Sequence, residues 1–179
     1  MPCLLRIACS GVLHHLADPL EGWRVLLSIL RPNGIMHIAL YSKLARAEVV
    51  AARNFVATGG YRANIDDIRR YRQDIVALDE ASPARAVAWS GDFYSSSNCR
   101  DLLFHVQEHH FTLPQIKDFL SGNGLVLLGF EHDADVLLRY RVQFPDDPAC
   151  TDLDHWHAYE QQNPRTFARM YQFTVQKQA

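Results

Sequence analysis

The chain has 179 residues, 48% of them hydrophobic, with 18 lysines and arginines set against 20 aspartates and glutamates. That is apolar material for one domain with a real core, and so even a charge balance points away from nucleic acid, whose binders carry a basic excess. No run is long and apolar enough to cross a bilayer, the start has no signal-peptide layout, and Cys3, Cys9, Cys99 and Cys150 show no C-x-x-C spacing, so a cytoplasmic protein with reduced thiols and no membrane partner is expected.

Residues 4–13 form an apolar run that meets Ser10-Gly11 and then His14-His15, where polar side chains begin. This marks the carboxyl end of a strand. Asp18-Pro19-Leu20-Glu21 opens a helix, because Asp18 can cap free amides and Pro19 suits the first helical position. Leu20, Trp23, Leu26, Leu27 and Leu30 recur at helical spacing and give it one buried face. Pro32-Asn33-Gly34 should end it. Residues 35–41 are almost continuously apolar, as in a strand covered on both faces, which predicts a βαβ unit with a parallel pair.

Residues 42–56 carry Ala45, Val49, Ala52 and Val56 at helical spacing before Gly59-Gly60. Asn64 with Asp67 caps a further helix marked by Ile65, Ile68, Ile75 and Leu78. On it Arg69, Arg70 and Arg72, beside Asp66, Asp67 and Asp74, read as a solvated face. Residues 90–100 are polar and turn-rich, with Phe93 and Tyr94 embedded, and read as a loop; residues 102–106 read as a short strand or the end of the same excursion. Thr112 to Gln115 starts a helix with Ile116, Phe119 and Leu120 facing inward, closed by Gly122-Asn123-Gly124 and followed by an apolar strand at 125–130.

Residues 133–144 alternate like a strand, with Leu138, Tyr140, Val142 and Phe144 on one side. Residues 145–148 make a turn. Leu153, Trp156 and Tyr159 give a helix on which His155 and His157 are surface decoration, Asn163-Pro164 ends it, and Tyr171, Phe173 and Val175 alternate as a last strand. There is no internal repeat.

The run SGVLHHLADP followed by LLSILRPNGIMHIALYS, read with RDLLFHVQEHHFTLPQI and the terminal MYQF, resembles class I S-adenosylmethionine-dependent methyltransferases. The likeness is to bacterial type 12 methyltransferase domains often joined to tetratricopeptide repeats, and it covers most of the chain. It implies an α/β fold: a partial Rossmann-like methyltransferase sheet, from the fourth strand onward, with a helical lid insertion at about 43–111 in one domain spanning 1–179. It favours a helix at 133–144 and an antiparallel last strand. The family's glycine-rich cofactor loop and the acidic residue that holds the ribose have no counterpart in these residues, and Leu5 stands where the family usually has an aspartate. The resemblance therefore implies the carboxyl half of such a domain, with a missing amino-terminal half or a tetratricopeptide-repeat region as partner. Its first strand would then be an apolar edge prone to self-association.

In an open doubly wound sheet the ligand lies outside the carboxyl ends of the strands. The resemblance puts the main chain of Cys9, Ser10 and Gly11 beside S-adenosylmethionine, with His14 and His15 near the methyl group. Methyl transfer asks the protein to align a nucleophile and take its proton, a task for which imidazole is suited. The alternative is that one histidine packs and the other bonds main chain. Tyr41, Tyr94, Arg100, His105 and Glu108 are candidate substrate or lid residues, the last three with Asp101 bracing the lid over the crevice; internal ion pairing among them is the alternative. His105 to His109 also fits H-x-x-E-H, but the zinc peptidase that spacing evokes needs both histidines on one helix face, so no metal is expected. The expected function is S-adenosylmethionine-dependent methyl transfer to an unidentified acceptor, incomplete or inactive in this chain alone. A non-catalytic methyltransferase-like binding or assembly module is the alternative.

Overall fold

Strand β1 (Leu4–Ser10) runs parallel to β2 (Leu30–Leu40), with Ile7 opposite Met36 and Cys9 opposite Ile38. These features come from a computed structural model that describes residues 4–105 and 107–179; Cys3 lies outside them. The strand is shorter than its apolar run, because residues from Leu13 to His15 turn into a 3-10 helix.

Between the two strands lies α1 (Pro19–Ile29). The Asp18 carboxylate accepts the Glu21 N–H at 2.9 Å, and Pro19 occupies the first turn, where no amide hydrogen is needed. Trp23 and Leu27 are buried, with Leu20 and Leu26 packed at the margin of the same core. The helix ends before Pro32-Asn33-Gly34. Leu30 is already extended and pairs with Leu4, so the turn becomes a bulge inside β2, with Asn33 at φ 59° and pairing resumed at Arg6 and Ile35. A Cβ on Gly34 would come within 2.8 Å of the Arg31 carbonyl, which is why the bulge closes on a glycine.

The last strand, β4 (Tyr171–Lys177), is antiparallel to β2 and to β3 (Leu125–Phe130), giving the order β1-β2-β4-β3. Helices α5 (Leu113–Gly122), α6 (Ala134–Gln143) and α7 (Leu153–Gln162) complete this part. Thr112 and Gln115 form a reciprocal capping box on α5, and Asp152 caps α7. Residues 134–143 are helical because Val136, Leu137, Tyr140 and Phe144 share an inward stripe, whereas Leu138 and Val142 of the apparent alternation are exposed. His155 is more than decoration: its ring stacks on Phe144 at 4.5 Å and is half-buried.

One sheet face, Met36, Ile38, Leu40, Tyr171, Phe173 and Val175, packs into the helix core, where Trp23 stacks on Phe119 at 4.1 Å. The other face is not covered as the sequence of β2 suggests. Arg6, Ala8, Ser10, Val126 and Leu128 are exposed and Ile35 and His37 half-buried, because the buried helix residues join the Met36 side. The result is an α/β fold with a four-stranded mixed sheet.

The chain divides into two units, Met1–Ala45 with Gln107–Ala179, and Arg46–Val106. The second is helical: α2 (Ala47–Thr58), α3 (Ile65–Val76) and α4 (Ser96–Phe104), with 3-10 turns at Arg85–Trp89 and Gly91–Phe93. Its core gathers Ala52, Val56, Ile68, Tyr71, Ile75 and Phe93 with Cys99, Leu102 and Leu103. Asn64 caps α3 as expected, but Ile65 in its first turn is exposed.

The expected loop at 90–100 is instead turn and helix, and of the two readings of 102–106 the strand does not form, since residues 102–104 close α4; Val106 lies outside the described residues. Ser90 and Ser95 are N-caps, and Cys99, Leu102 and Leu103 then face inward at helical spacing. The solvated-face reading holds for Arg69 and Arg70, which pair with Asp66 and Asp67. It fails for Arg72, which donates to the Phe93 carbonyl; Asp74 stays exposed and accepts from the Tyr61 hydroxyl at 2.6 Å.

Candidate functional site

At the carboxyl end of β1 the chain reverses through Gly11, whose φ of 73° favours glycine although a Cβ there would meet nothing within 4 Å. The 3-10 turn Leu13–His15 follows and buries Leu13 and His14. At the carboxyl end of β2 stand Tyr41 and Ser42. Residues 107–111 run across both ends as a strap. The His109 N–H donates to the His14 carbonyl, the Phe111 N–H to Tyr41 and the Lys43 N–H to Phe111, each at 2.8 Å, and Ser42 and Phe111 form a parallel bridge.

Side chains reinforce the lacing. The Gln107 amide donates to the Leu16 carbonyl at 3.2 Å and to His109 Nε2 at 3.1 Å. His15 Nδ1 lies 3.1 Å from the Gln107 carbonyl, which can only accept, so Nδ1 carries the proton. His14 is 0% exposed, with its ring 3.9 Å from that of Tyr41 and tilted by 31°. His15 meets His14 edge-on at 4.4 Å. His110 Nε2 lies 2.7 Å from Glu108 Oε1, the Glu108 side chain being 2% exposed, and the His110 ring approaches Tyr41 edge-on at 6.5 Å.

Behind this mouth Glu160 of α7 is 1% exposed. It accepts from the Ser42 hydroxyl at 2.5 Å and from the Tyr171 hydroxyl at 2.7 and 2.9 Å. Ser42 Oγ in turn accepts the Ala45 N–H at 3.1 Å. Burial pushes the Glu160 carboxyl above its ordinary range, against the pull of the two hydroxyl donors and of His157. The carboxylate thus fixes the corner from which the Tyr41 ring and the strap are hung.

The structure brings His14, His15, Tyr41 and Glu108 together, beside Ser10 and Gly11 at the end of β1. Cys9 turns its side chain into the core, where burial raises the thiol, so only its main chain can border a ligand. Tyr94, Arg100 and His105 belong to the helical unit. Tyr94 is 72% exposed; Arg100 and Asp101 are exposed on α4, and neither has an ion pair among the described residues. The His105 carbonyl receives the Arg53 guanidinium.

Three members of the site go beyond the sequence expectation: His109, His110 and Glu160. Glu160 had a signal, since it follows Leu153 and Trp156 on the inward stripe of α7, where a carboxylate has no bland reason to be. The H-x-x-E-H stretch, whose Val106 lies outside the described residues, starts after α4 has ended at Phe104. Among the described residues no three histidine, cysteine or acidic side chains are placed to hold a metal ion.

No protein-family profile matches the chain. An uncharacterized protein of Synechococcus is 30% identical over 131 residues, covering 70% of this chain and 31% of that protein. PKMT2 from Rickettsia typhi is similar in structure, with a TM-score of 0.65 at 16% identity over 97% of this chain and 35% of that one. PKMT2 in complex with AdoHcy is similar too, with a TM-score of 0.63 at 15% identity, again over 97% of this chain and 35% of that one. The likeness shows a partial methyltransferase fold. The chain spans about a third of the length of these relatives. Among the described residues no helix is long and apolar enough to cross a membrane.

Proposed function

We propose that this chain is part of an S-adenosylmethionine-dependent methyltransferase of the class I, type 12 kind, acting on an unidentified acceptor at the mouth above β1 and β2. The reading is carried by one observation: the strand order β1-β2-β4-β3 with β4 reversed, in a fold shared with PKMT2, which was solved with AdoHcy. It is supported by the position of the histidine and tyrosine cluster at the carboxyl ends of the two parallel strands, where an open α/β sheet takes its ligand.

The residues present fit the cofactor on one side. The turn at Ser10 and Gly11 is open, since Ser10 is exposed and a Cβ at Gly11 meets nothing; its main chain would border the cofactor's amino-acid end. No carboxylate stands in residues 9–15 or 41–42 to hold a ribose diol. When bound, the cofactor supplies a methyl group on a cationic sulfur. This chain's own part is to orient the acceptor against the Tyr41 ring, which His14 backs from the buried side, and to receive a proton.

The proposal includes a cytoplasmic setting, with which the free, buried Cys9, Cys99 and Cys150 agree. It also includes a tetratricopeptide-repeat region in the longer protein, and a part for the helical unit, inserted in chain order between β2 and α5, in choosing the acceptor. Calorimetric titration with S-adenosylhomocysteine tests the core of it. Weak binding is expected, because no carboxylate stands in residues 9–15 or 41–42 to hold the ribose. Tight binding would contradict that account of the site, and no heat at any ligand concentration would move the chain to the second reading.

That second reading is a binding or assembly module. The observation in its favour is the sheet itself, which among the described residues leaves β1 with one neighbour, Leu4 and Leu5 exposed, and a partly apolar open face. It entails self-association through β1. A monomer at high concentration in light scattering would count against it.

A further inference from the structure

We infer that the proton acceptor of this mouth is His110, held by Glu108, rather than His14 or His15. The inference deepens the methyl-transfer reading and rests on it only for the identity of the proton donor. It begins with what each imidazole nitrogen already does. His14 is fully buried against Tyr41. His109 Nε2 accepts a hydrogen from the Gln107 amide, whose orientation is fixed because the same nitrogen also donates to Leu16; its lone pair is engaged. His15 donates from Nδ1 to the Gln107 carbonyl and so serves to hold the strap.

His110 differs from these three. Its Nε2 faces Glu108, a nearly buried carboxylate that accepts and cannot donate when ionised, so Nε2 carries the hydrogen and Nδ1 carries the lone pair. Nδ1 has no hydrogen-bond partner among the described residues, and the side chain is 18% exposed, so the lone pair is within reach of an incoming group. A carboxylate behind an imidazole fixes the tautomer, orients the ring and balances the charge the ring acquires, the arrangement that makes histidine an efficient general base. The groups facing the ring are Glu108 from its own segment and Tyr41 from the end of β2.

The acceptor class follows: an amine, hydroxyl or thiol bearing a proton to lose. Its X–H bond breaks with the electron pair left on X, the proton joins the Nδ1 lone pair, and the imidazolium is balanced by the Glu108 carboxylate. Solvent later takes the proton from the partly exposed ring.

Nitrogen-15 NMR of the imidazoles in the whole chain at neutral pH tests the inference. His110 is expected as the Nε2–H tautomer in the wild type and in E108Q, whose amide oxygen can still accept, and as a mixture in E108A. An Nδ1–H tautomer in the wild type, or an unchanged tautomer in E108A, would overturn it. Carbethoxylation by diethyl pyrocarbonate, mapped by mass spectrometry, should modify His110 ahead of His14 and His109, and the reverse order would overturn it as well. The heat of S-adenosylhomocysteine binding by the wild type tests the methyl-transfer reading separately. If the wild type gives no such heat, the methyl-transfer reading falls while the tautomer and reactivity results decide the base by themselves.

Discussion

Tyr171 in the sheet unit and Tyr71 in the helical unit are both fully buried, yet their hydroxyls are treated in opposite ways. Tyr171 donates to Glu160 at 2.7 Å, whereas the Tyr71 hydroxyl has no partner among the described residues. Burial pushes both phenols well above their ordinary range, as it must wherever the charged form would sit in apolar surroundings. Tyr71 is there for its ring, which touches those of Phe55, Tyr61, Phe93 and Phe104 at 5.7 to 6.4 Å. Tyr171 is there for a hydrogen bond that fixes the Tyr41-Ser42 corner. One unit uses a polar network to hold a functional edge, and the other tolerates a stray hydroxyl to fill volume.

The sharpest break of this contrast is Glu160→Ala. Removing the carboxylate leaves the Ser42 and Tyr171 hydroxyls unpaired and opens a cavity, a loss on the order of 3 kcal/mol. Urea unfolding followed through tryptophan fluorescence measures it. An unchanged midpoint would mean that the corner is not held by Glu160. Tyr171→Phe should cost about 1–2 kcal/mol by taking one donor from a buried carboxylate. Tyr71→Phe should fall within about 0.5 kcal/mol of the wild type or stabilise, because it deletes an unsatisfied group. If the two tyrosine variants behave alike, the contrast is wrong.

The same contrast explains what was legible in the sequence. Elements set by local chemistry could be read directly: the Asp18 cap with Pro19, the Thr112 and Gln115 box, the Asn64 cap and the alternating last strand all stand where expected, while the reversal of that strand is implied by the family resemblance alone. Errors arose where one local signal had two outcomes. Ser90 and Ser95 read as loop formers, yet a serine that competes with the backbone also caps a helix, and only the inward Cys99, Leu102 and Leu103 decide between the two. Pro32-Asn33-Gly34 read as a helix stop and proved to be a bulge, since the pairing partner Leu4 lies far away in sequence. The site was half visible for the same reason. His14, His15 and Glu108 could be named, but the pairing of Gln107 with His109 and of His110 with Glu108 depends on a strap across two strand ends that spacing does not reveal.

Two titratable groups of the sheet unit should respond to pH in opposite directions. Glu160 has its folded-state value raised above its ordinary 4.5 by burial. Between those values the folded chain keeps a proton that the unfolded chain has released, so its contribution to stability falls as pH rises through that window. His132, half-buried against Trp156 at 5.4 Å and Phe167 at 4.7 Å, has its value lowered below 6.5 by partial burial, against the pull of Asp133. Below 6.5 the unfolded chain binds a proton that the folded chain resists, so this contribution falls as pH drops. Urea midpoints between pH 4 and 7 should therefore lose their decline on the alkaline side in E160Q and their decline on the acid side in His132→Phe. Variants that track the wild type at every pH would show that neither group is linked to folding.

The smallest expected effect lies on α3, where arginines three residues apart divide along the same line. Arg72 donates to the Phe93 carbonyl and lies over the Phe93 ring at 5.5 Å, so Arg72→Ala removes both a main-chain tie and packing, about 1–2 kcal/mol. Arg69 reaches Asp66 at 3.6 Å with both side chains mostly in water. Its Coulomb gain is screened and offset by the entropy of holding two long side chains, so Arg69→Ala should change stability by less than about 0.5 kcal/mol. Raising the salt concentration should leave the difference between the two variants in place, since the bond of Arg72 is to a partly buried carbonyl and not to an ion. A difference that vanishes with salt would make Arg72 a surface charge after all, and would return the helical unit to the solvated face that its sequence suggests.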